Sequence, residues 1–108
     1  MSKQWLNYHH LYYFMTIAEL NSISKAAEKL LLGQPTLSAQ LKQFEENLGV
    51  QLFERHHKKL ILTEHGSLAL VYARNIFKMG DEMYEALHDR MKPSKINVQL
   101  GALDSIPK

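Results

Sequence analysis

Five consecutive residues, Arg55, His56, His57, Lys58 and Lys59, make the densest basic spot in the chain, with three fixed positive charges, two titratable rings and no acid between them. A second stretch able to do chemistry precedes it. Gln34, Pro35, Thr36, Ser38, Ala39, Gln40, Lys42 and Gln43 are mostly amides and hydroxyls, and no carboxylate follows them before Glu45. Such groups match the edges of nucleic-acid bases. A glutamine amide pairs with adenine, small hydroxyls with several bases, and a proline ring touches a thymine methyl. Lysine and arginine meet phosphate, which positions a protein without specifying sequence. Lys42 is placed in that second class, as are the hydroxyls of Ser22 and Ser24 upstream. Taken alone, the basic run also reads as a solvated turn. Pairing of Arg55 with Glu54 or Glu64 would then contribute only about 0 to 1 kcal/mol, a weak reason for such a cluster.

Other chemistries lack their residues. The six histidines include the neighbours His9-His10 and His56-His57, but adjacent helical residues point about 100 degrees apart and do not readily share an ion. No metal or cofactor is expected for this segment. There is no nucleophile elbow, phosphate-binding glycine loop or isolated acid pair, so the chain is not read as an enzyme. Cysteine is absent, which removes disulfides, thiolate zinc sites and cysteine nucleophiles together.

At 108 residues there is room for one ordinary domain and a tail. The net charge of +2 is small, but its distribution is uneven. Residues 1–62 carry seven Lys/Arg against five acids, residues 63–91 three against five, and the remainder three against one. The start, Met1-Ser2-Lys3-Gln4, does not resemble a signal peptide, and no apolar run is long enough to span a bilayer. A cytoplasmic protein without a membrane partner is expected.

The elements that must position these groups follow from periodicity. Leu11, Phe14, Ile17 and Ala18 mark a helix over 8–20 capped by Asn7. Ser24 offers a polar start to a short second helix through Ala26, Ala27 and Leu30. Gly33 frees the backbone for the next turn, and Pro35 suits the first turn of a third helix. Leu37, Leu41, Phe44 and Leu48 form the apolar stripe of that helix, and Gly49 stops it. Residues 50–55 and 60–62 read as a small hairpin around the basic turn, which lacks the Asn-Gly or Asp-Gly that would define its geometry. Thr63 then caps a helix from Ser67 to about Met91, with Glu64 in its first turn.

On that helix Ala69, Tyr72, Ile76, Met79, Met83 and Leu87 approximate a heptad seam. The opening turns around Leu68 and Val71 should pack on the chain's own helices. Beyond Met79 the seam outruns any core a domain this small could offer, so a second copy is its expected partner. Lys92-Pro93-Ser94 ends the helix, and Ile96 to Gly101 alternates like a strand. The expected fold is mainly α: a winged helix-turn-helix of three helices and a two-stranded wing, followed by a long dimerisation helix. Residues 1–62 are expected to form the DNA-binding domain, 63–91 the linker helix, and 92–108 a hinge and the start of a second, truncated domain.

Several motifs occur together and in order: Ser22-Ile23-Ser24 with Ala26-Ala27 and Leu30; Gln34-Pro35-Thr36-Leu37-Ser38; Leu48-Gly49-Val50-Gln51-Leu52-Phe53-Glu54-Arg55; and Leu62-Thr63-Glu64-His65-Gly66. In this combination, over about residues 6 to 100, the chain resembles the LysR-type transcriptional regulators. Leu6 to Phe14 resembles the start of the sodium/proton-antiporter regulator subgroup. The resemblance implies transcription regulation, activation included, by a homodimer paired through the linker helix, usually a tetramer at full length. It also implies binding to an interrupted palindrome of double-stranded DNA near a promoter, with RNA polymerase as a further partner. A sensor domain for a small molecule or ion would follow, its first strand at residues 96–101.

Carried over by residue, Gln34, Pro35, Thr36 and Ser38 fall at base-reading positions, Lys42 on the backbone face and Lys58 at the wing position that enters the minor groove. Read from the residues alone, Arg55, His56, His57, Lys58 and Lys59 form the wing, with Lys58 or Arg55 placed to enter a minor groove. Two departures stand out: Gly33 replaces a common Ser or Thr cap, and Ala39 a common Arg. The rival reading is a helical interaction module that dimerises without touching DNA. Such a module needs neither a polar start to its third helix nor a basic wing.

Overall fold

The computed structural model describes residues 5–90. Its elements run α1 (Tyr8–Leu20), α2 (Ile23–Leu30), α3 (Gln34–Leu48), β1 (Phe53–His56), β2 (Lys59–Leu62) and α4 (Glu64–Arg90). The expected strand at 96–101 lies outside the described residues. Two compact units divide at Asn75 and Ile76, inside α4.

In the first unit, α1 turns one apolar face inward, burying Leu11, Phe14 and Ile17. The Asn7 side chain accepts from the His10 backbone N–H at 3.0 Å, satisfying one of the free donors of the first turn. Asn21 ends the helix in the left-handed conformation, with φ 57°. Helix α2 is held close by two small residues, Ala26 and Ala27, both buried. Its cap is Ser22, whose hydroxyl accepts from Lys25 N–H at 3.1 Å. The cap therefore stands two residues before the Ser24 expected from the sequence. The extended backbone of Ser22 (φ −165°, ψ 128°) lets its oxygen reach the first turn, whereas Ser24 already lies inside the helix.

The turn into α3 also differs from expectation. Gly33 adopts φ −69° and ψ 144°, an extended N-cap that any residue can take. The left-handed position is Leu31 instead, at φ 59° and 90% exposed. Gly33 leaves α3 without a side-chain cap, although a Cβ there would meet only Pro35 Cδ and Thr36 Oγ1, both at 3.9 Å. Leu37, Leu41 and Phe44 carry the inward stripe of α3. Leu48, expected to continue it, is 40% exposed because the helix ends there and Gly49 turns the chain away at φ 77°.

The rings of Phe14, Phe44 and Phe53 pack together, with Phe14 centred 6.3 Å from Phe44 and 5.5 Å from Phe53. Phe53 is the one buried residue of β1. Strands β1 and β2 pair antiparallel from Phe53↔Leu62 to His56↔Lys59, leaving His57 and Lys58 as a two-residue connection. Both have positive φ, 51° and 66°. Those values are the signature of a type I′ turn, which matches the twist of the flanking strands and ordinarily uses Asn-Gly. Side chains bearing a Cβ pay on the order of 1 kcal/mol each for that conformation. The basic turn, whose geometry the residue types alone do not define, is thus a tight hairpin built from unfavoured residues.

The first turns of α4 give Leu70 and Ala73 to the core, while Leu68 and Val71 are 58% and 53% exposed. The inward register is therefore offset from the one expected, and it is set by Gly66, whose missing side chain lets the helix lie against Leu52. Arg74 pairs with Glu19 of α1 at 3.3 Å, at the surface. In the second unit, the rest of α4 exposes Met79, Met83, Tyr84 and Leu87. Of the expected seam, Tyr72, Met79, Met83 and Leu87 are exposed, and Ala69 and Ile76 are half-buried. No helix among the described residues is long and apolar enough to cross a membrane.

Candidate nucleic-acid interface

The start of α2, the start of α3 and the wing converge on one cleft of about 520 Å³. Ser22, Ser24, Gln34, Arg55, Lys58 and Lys59 all line it, so residues separated by more than 30 positions in sequence share one surface. The cleft wall contains no carboxylate. Gln34 stands in the first turn of α3 with its side chain exposed. The Ser22 hydroxyl caps α2 and lies 3.2 Å from that of Ser24, which is itself exposed. Arg55 forms no ion pair with Glu54 or Glu64; Glu54 lies instead 3.6 Å from the His56 ring. The arginine is thus not held by its acidic neighbours.

The remaining expected residues separate around α3. Pro35 is exposed and does not line the cleft. Thr36 borders a second cleft, of about 330 Å³, toward α1. Ser38 and Lys42 line a third, of about 560 Å³, together with Glu45, Glu46 and Ile23. His57 sits at the tip of the wing, exposed and outside the first cleft. Among the described residues no three of His, Asp and Glu gather closely enough to hold a metal.

What holds the wing against α3 is not visible in the sequence. The Glu45 carboxylate accepts from Leu52 N–H at 2.8 Å and from Phe53 N–H at 3.3 Å. Thr63 ties the other end: its hydroxyl donates to Gln51 O at 2.6 Å and accepts from Gly66 N–H at 2.9 Å. Its backbone N–H also donates to Leu52 O at 3.0 Å. Periodicity marks Glu45 only as an acid near the helix end, because an acceptor for a strand's first amides carries no local pattern. Only the Thr63 cap has a readable signal.

Replacing Glu45 with alanine should strand the amides of Leu52 and Phe53, one of them on a fully buried residue. An expected loss of about 2 kcal/mol follows from orphaned buried donors. Urea denaturation measures it, and glutamine at 45, which keeps an acceptor oxygen, should recover about half. A Glu45→Ala protein as stable as the parent would show that water replaces the carboxylate without cost.

The bacterial regulatory helix-turn-helix proteins of the lysR family match residues 8–67 of the chain. The activator CmpR of Synechocystis sp. (strain ATCC 27184 / PCC 6803 / Kazusa) is 38% identical over 88% of this chain and 31% of its own length. The activator NhaR of Escherichia coli (strain K12) is 35% identical over the whole of this chain and 36% of its own length. The chain therefore spans about a third of the curated relatives it matches. Among solved structures, the complex of BenM DBD with benA site 1 DNA superposes with a TM-score of 0.76 at 34% identity. That match covers 81% of this chain and 98% of the other. Matched along more than half its length, and folded as three helices, a wing and a long helix like these structures, the chain belongs to the lysR family of bacterial regulatory helix-turn-helix proteins.

Proposed function

We propose that the chain is the DNA-binding part of a cytoplasmic transcription regulator, acting as a homodimer on an interrupted palindrome of double-stranded DNA near a promoter. One observation carries the reading: hydroxyl, amide and cationic side chains from α2, α3 and the wing share a cleft without a carboxylate. In this reading the first turn of α3 enters the major groove. Gln34, Pro35, Thr36 and Ser38 meet base edges, and Lys42 with Ser22 and Ser24 meets phosphate. The wing lies beside the groove, with Lys58 at its turn directed to the minor groove and Arg55, His57 and Lys59 adding backbone contacts. The relatives named as activators make activation, through contact with RNA polymerase, the favoured mode.

The exposed apolar side chains of α4 supply the dimer contact, and tetramers would form in the whole protein. A small-molecule or ion effector would be received by the part of the protein beyond this segment. No cofactor and no catalysis belong to the segment itself.

Duplexes selected from a random pool by the 108-residue chain test the proposed lysine roles. Removing one lysine–phosphate interaction should reduce the slope of log affinity against log salt by about 0.9. Lys58→Ala and Lys42→Ala should each show that reduction, with weaker binding on every duplex. Affinity and slope left unchanged in both variants would refute the assignment of these lysines.

A further inference from the structure

Gln40 stands one turn beyond Thr36 on α3, outside the cleft that carries the proposed function. It faces α1, where its Oε1 is hydrogen-bonded to Nε2 of His10. That ring is only 7% exposed and lies edge-on to Phe44, with centroids 5.8 Å apart. An amide oxygen only accepts, so His10 Nε2 carries the proton and donates to it. Nδ1 is buried with no hydrogen-bond partner. A half-satisfied imidazole beside Phe44 does less for stability than an apolar ring of similar size would. What the histidine does supply is a donor that engages the carbonyl oxygen of Gln40.

That engagement limits what Gln40 can present. A glutamine reads adenine by using its oxygen and nitrogen together. With Oε1 turned to His10, one acceptor site of the oxygen is taken and the amide is held in place, while the two N–H donors of Nε2 have no partner among the described residues. An amide whose free groups are mainly donors suits phosphate oxygen better than a base edge that asks for both functions. The cleft of about 330 Å³ beside Gln40 has the same character. Thr36, Asn7, His9 and Tyr13 also line it, each with a group able to donate, and no carboxylate is present. The depression beside Ser38 and Lys42, by contrast, contains Glu45 and Glu46.

We infer that Gln40 and His10 form a second DNA-backbone site on the α1 side of α3: Gln40 Nε2 donates to a phosphate oxygen, and His10 is the positioning residue that aims it. The inference rests on the DNA-binding reading above, and it gives α3 a backbone contact on the flank opposite the wing.

The test compares the 108-residue chain with its His10→Phe, Gln40→Ala, doubly substituted and Gln40→Glu forms. Each is titrated against a duplex selected from a random pool and against a scrambled duplex of equal length, with folding followed by circular dichroism. His10→Phe and Gln40→Ala should each weaken binding to both duplexes by about three- to tenfold, the range of one hydrogen bond. The double variant should be no weaker than the worse single one. Gln40→Glu still accepts from His10 but brings a carboxylate to the phosphate, so it should bind more weakly than Gln40→Ala.

A purely structural pair would lower the melting temperature and leave the affinity of the folded protein intact, which overturns the proposal. So does a loss confined to the selected duplex, which would mark a base contact, or additive losses in the double variant, which would show that His10 does not act through Gln40. If His10→Phe fails to fold, the two Gln40 substitutions still decide the phosphate contact. A parent chain that binds neither duplex would sink the DNA-binding reading itself, whereas a binding parent with unaffected Gln40 variants sinks only this site.

Discussion

Alanine at position 66 is expected to remove about 3 kcal/mol of folding stability, a large share of the roughly 5 to 15 kcal/mol available to a domain of this size. The added Cβ would stand 2.1 Å from the carbonyl oxygen of Leu52, 2.8 Å from Leu62 Cδ2 and 3.0 Å from Leu52 C. Two of the three obstacles are backbone, and that stretch of backbone is already held by Glu45 and Thr63. Neither α4 nor the wing can move aside without breaking those bonds. Gly49 provides the comparison. It has φ 77°, and an added Cβ there would meet nothing within 4 Å. Its alanine variant should therefore cost only about 1 kcal/mol, from backbone conformation alone. Urea denaturation of both variants separates the two causes. Equal losses would mean that the root of the wing yields to Gly66→Ala and that the close approach is not a determinant of the fold.

Glutamate at both Met79 and Met83 is expected to convert the proposed dimer to a monomer and to weaken binding to a palindromic duplex by about 10² to 10⁴, the range forfeited when two linked binding events become independent. Both side chains are more than half exposed, at 67% and 55%, with Leu87 at 53% and Tyr84 at 63% nearby in sequence on the same helix. Four large apolar side chains within nine residues are unusual in contact with water, and three of them, Met79, Met83 and Leu87, recur at four-residue intervals on one face of the helix, as in a helix packed against another. Substituting surface positions should leave the first unit folded, so a half-site duplex should still bind the variant weakly. Sedimentation equilibrium reads the oligomeric state and fluorescence anisotropy the affinity. A doubly substituted protein that remains dimeric would exclude this face as the contact.

Most of the elements are readable because each is announced locally. The three-residue spacing of Leu11, Phe14 and Ile17, the proline at the start of α3 and the glycine after Leu48 all act within a few residues of where they stand. The same is true of the candidate cleft: the residue types that could meet DNA are identifiable from their chemistry. Positions set by neighbours distant in sequence are less legible. The cap of α2 is Ser22 rather than Ser24 because only the former lies outside the helix with extended backbone. Leu31, rather than Gly33, takes the left-handed position because the α2 cap bonds from Leu31 N–H to Ala27 O and Glu28 O close there. Leu68 and Val71 face outward because α4 packs through Leu70 and Ala73.

The sequence by itself therefore determined the order and kind of the elements, since helix periodicity, caps and breakers are properties of a few adjacent residues. It also placed the basic run between two short strands and the apolar seam on the last helix. The tertiary structure decided which of these residues share a surface. Arg55, Lys58 and Lys59 meet Ser22, Ser24 and Gln34 only because Glu45 and Thr63 clamp the wing against α3 and the missing Cβ of Gly66 allows α4 to close on Leu52. Those are contacts between groups far apart in the chain, and no local pattern encodes them. For the same reason the His10–Gln40 pair, 30 residues apart, becomes visible only when α1 and α3 are packed together.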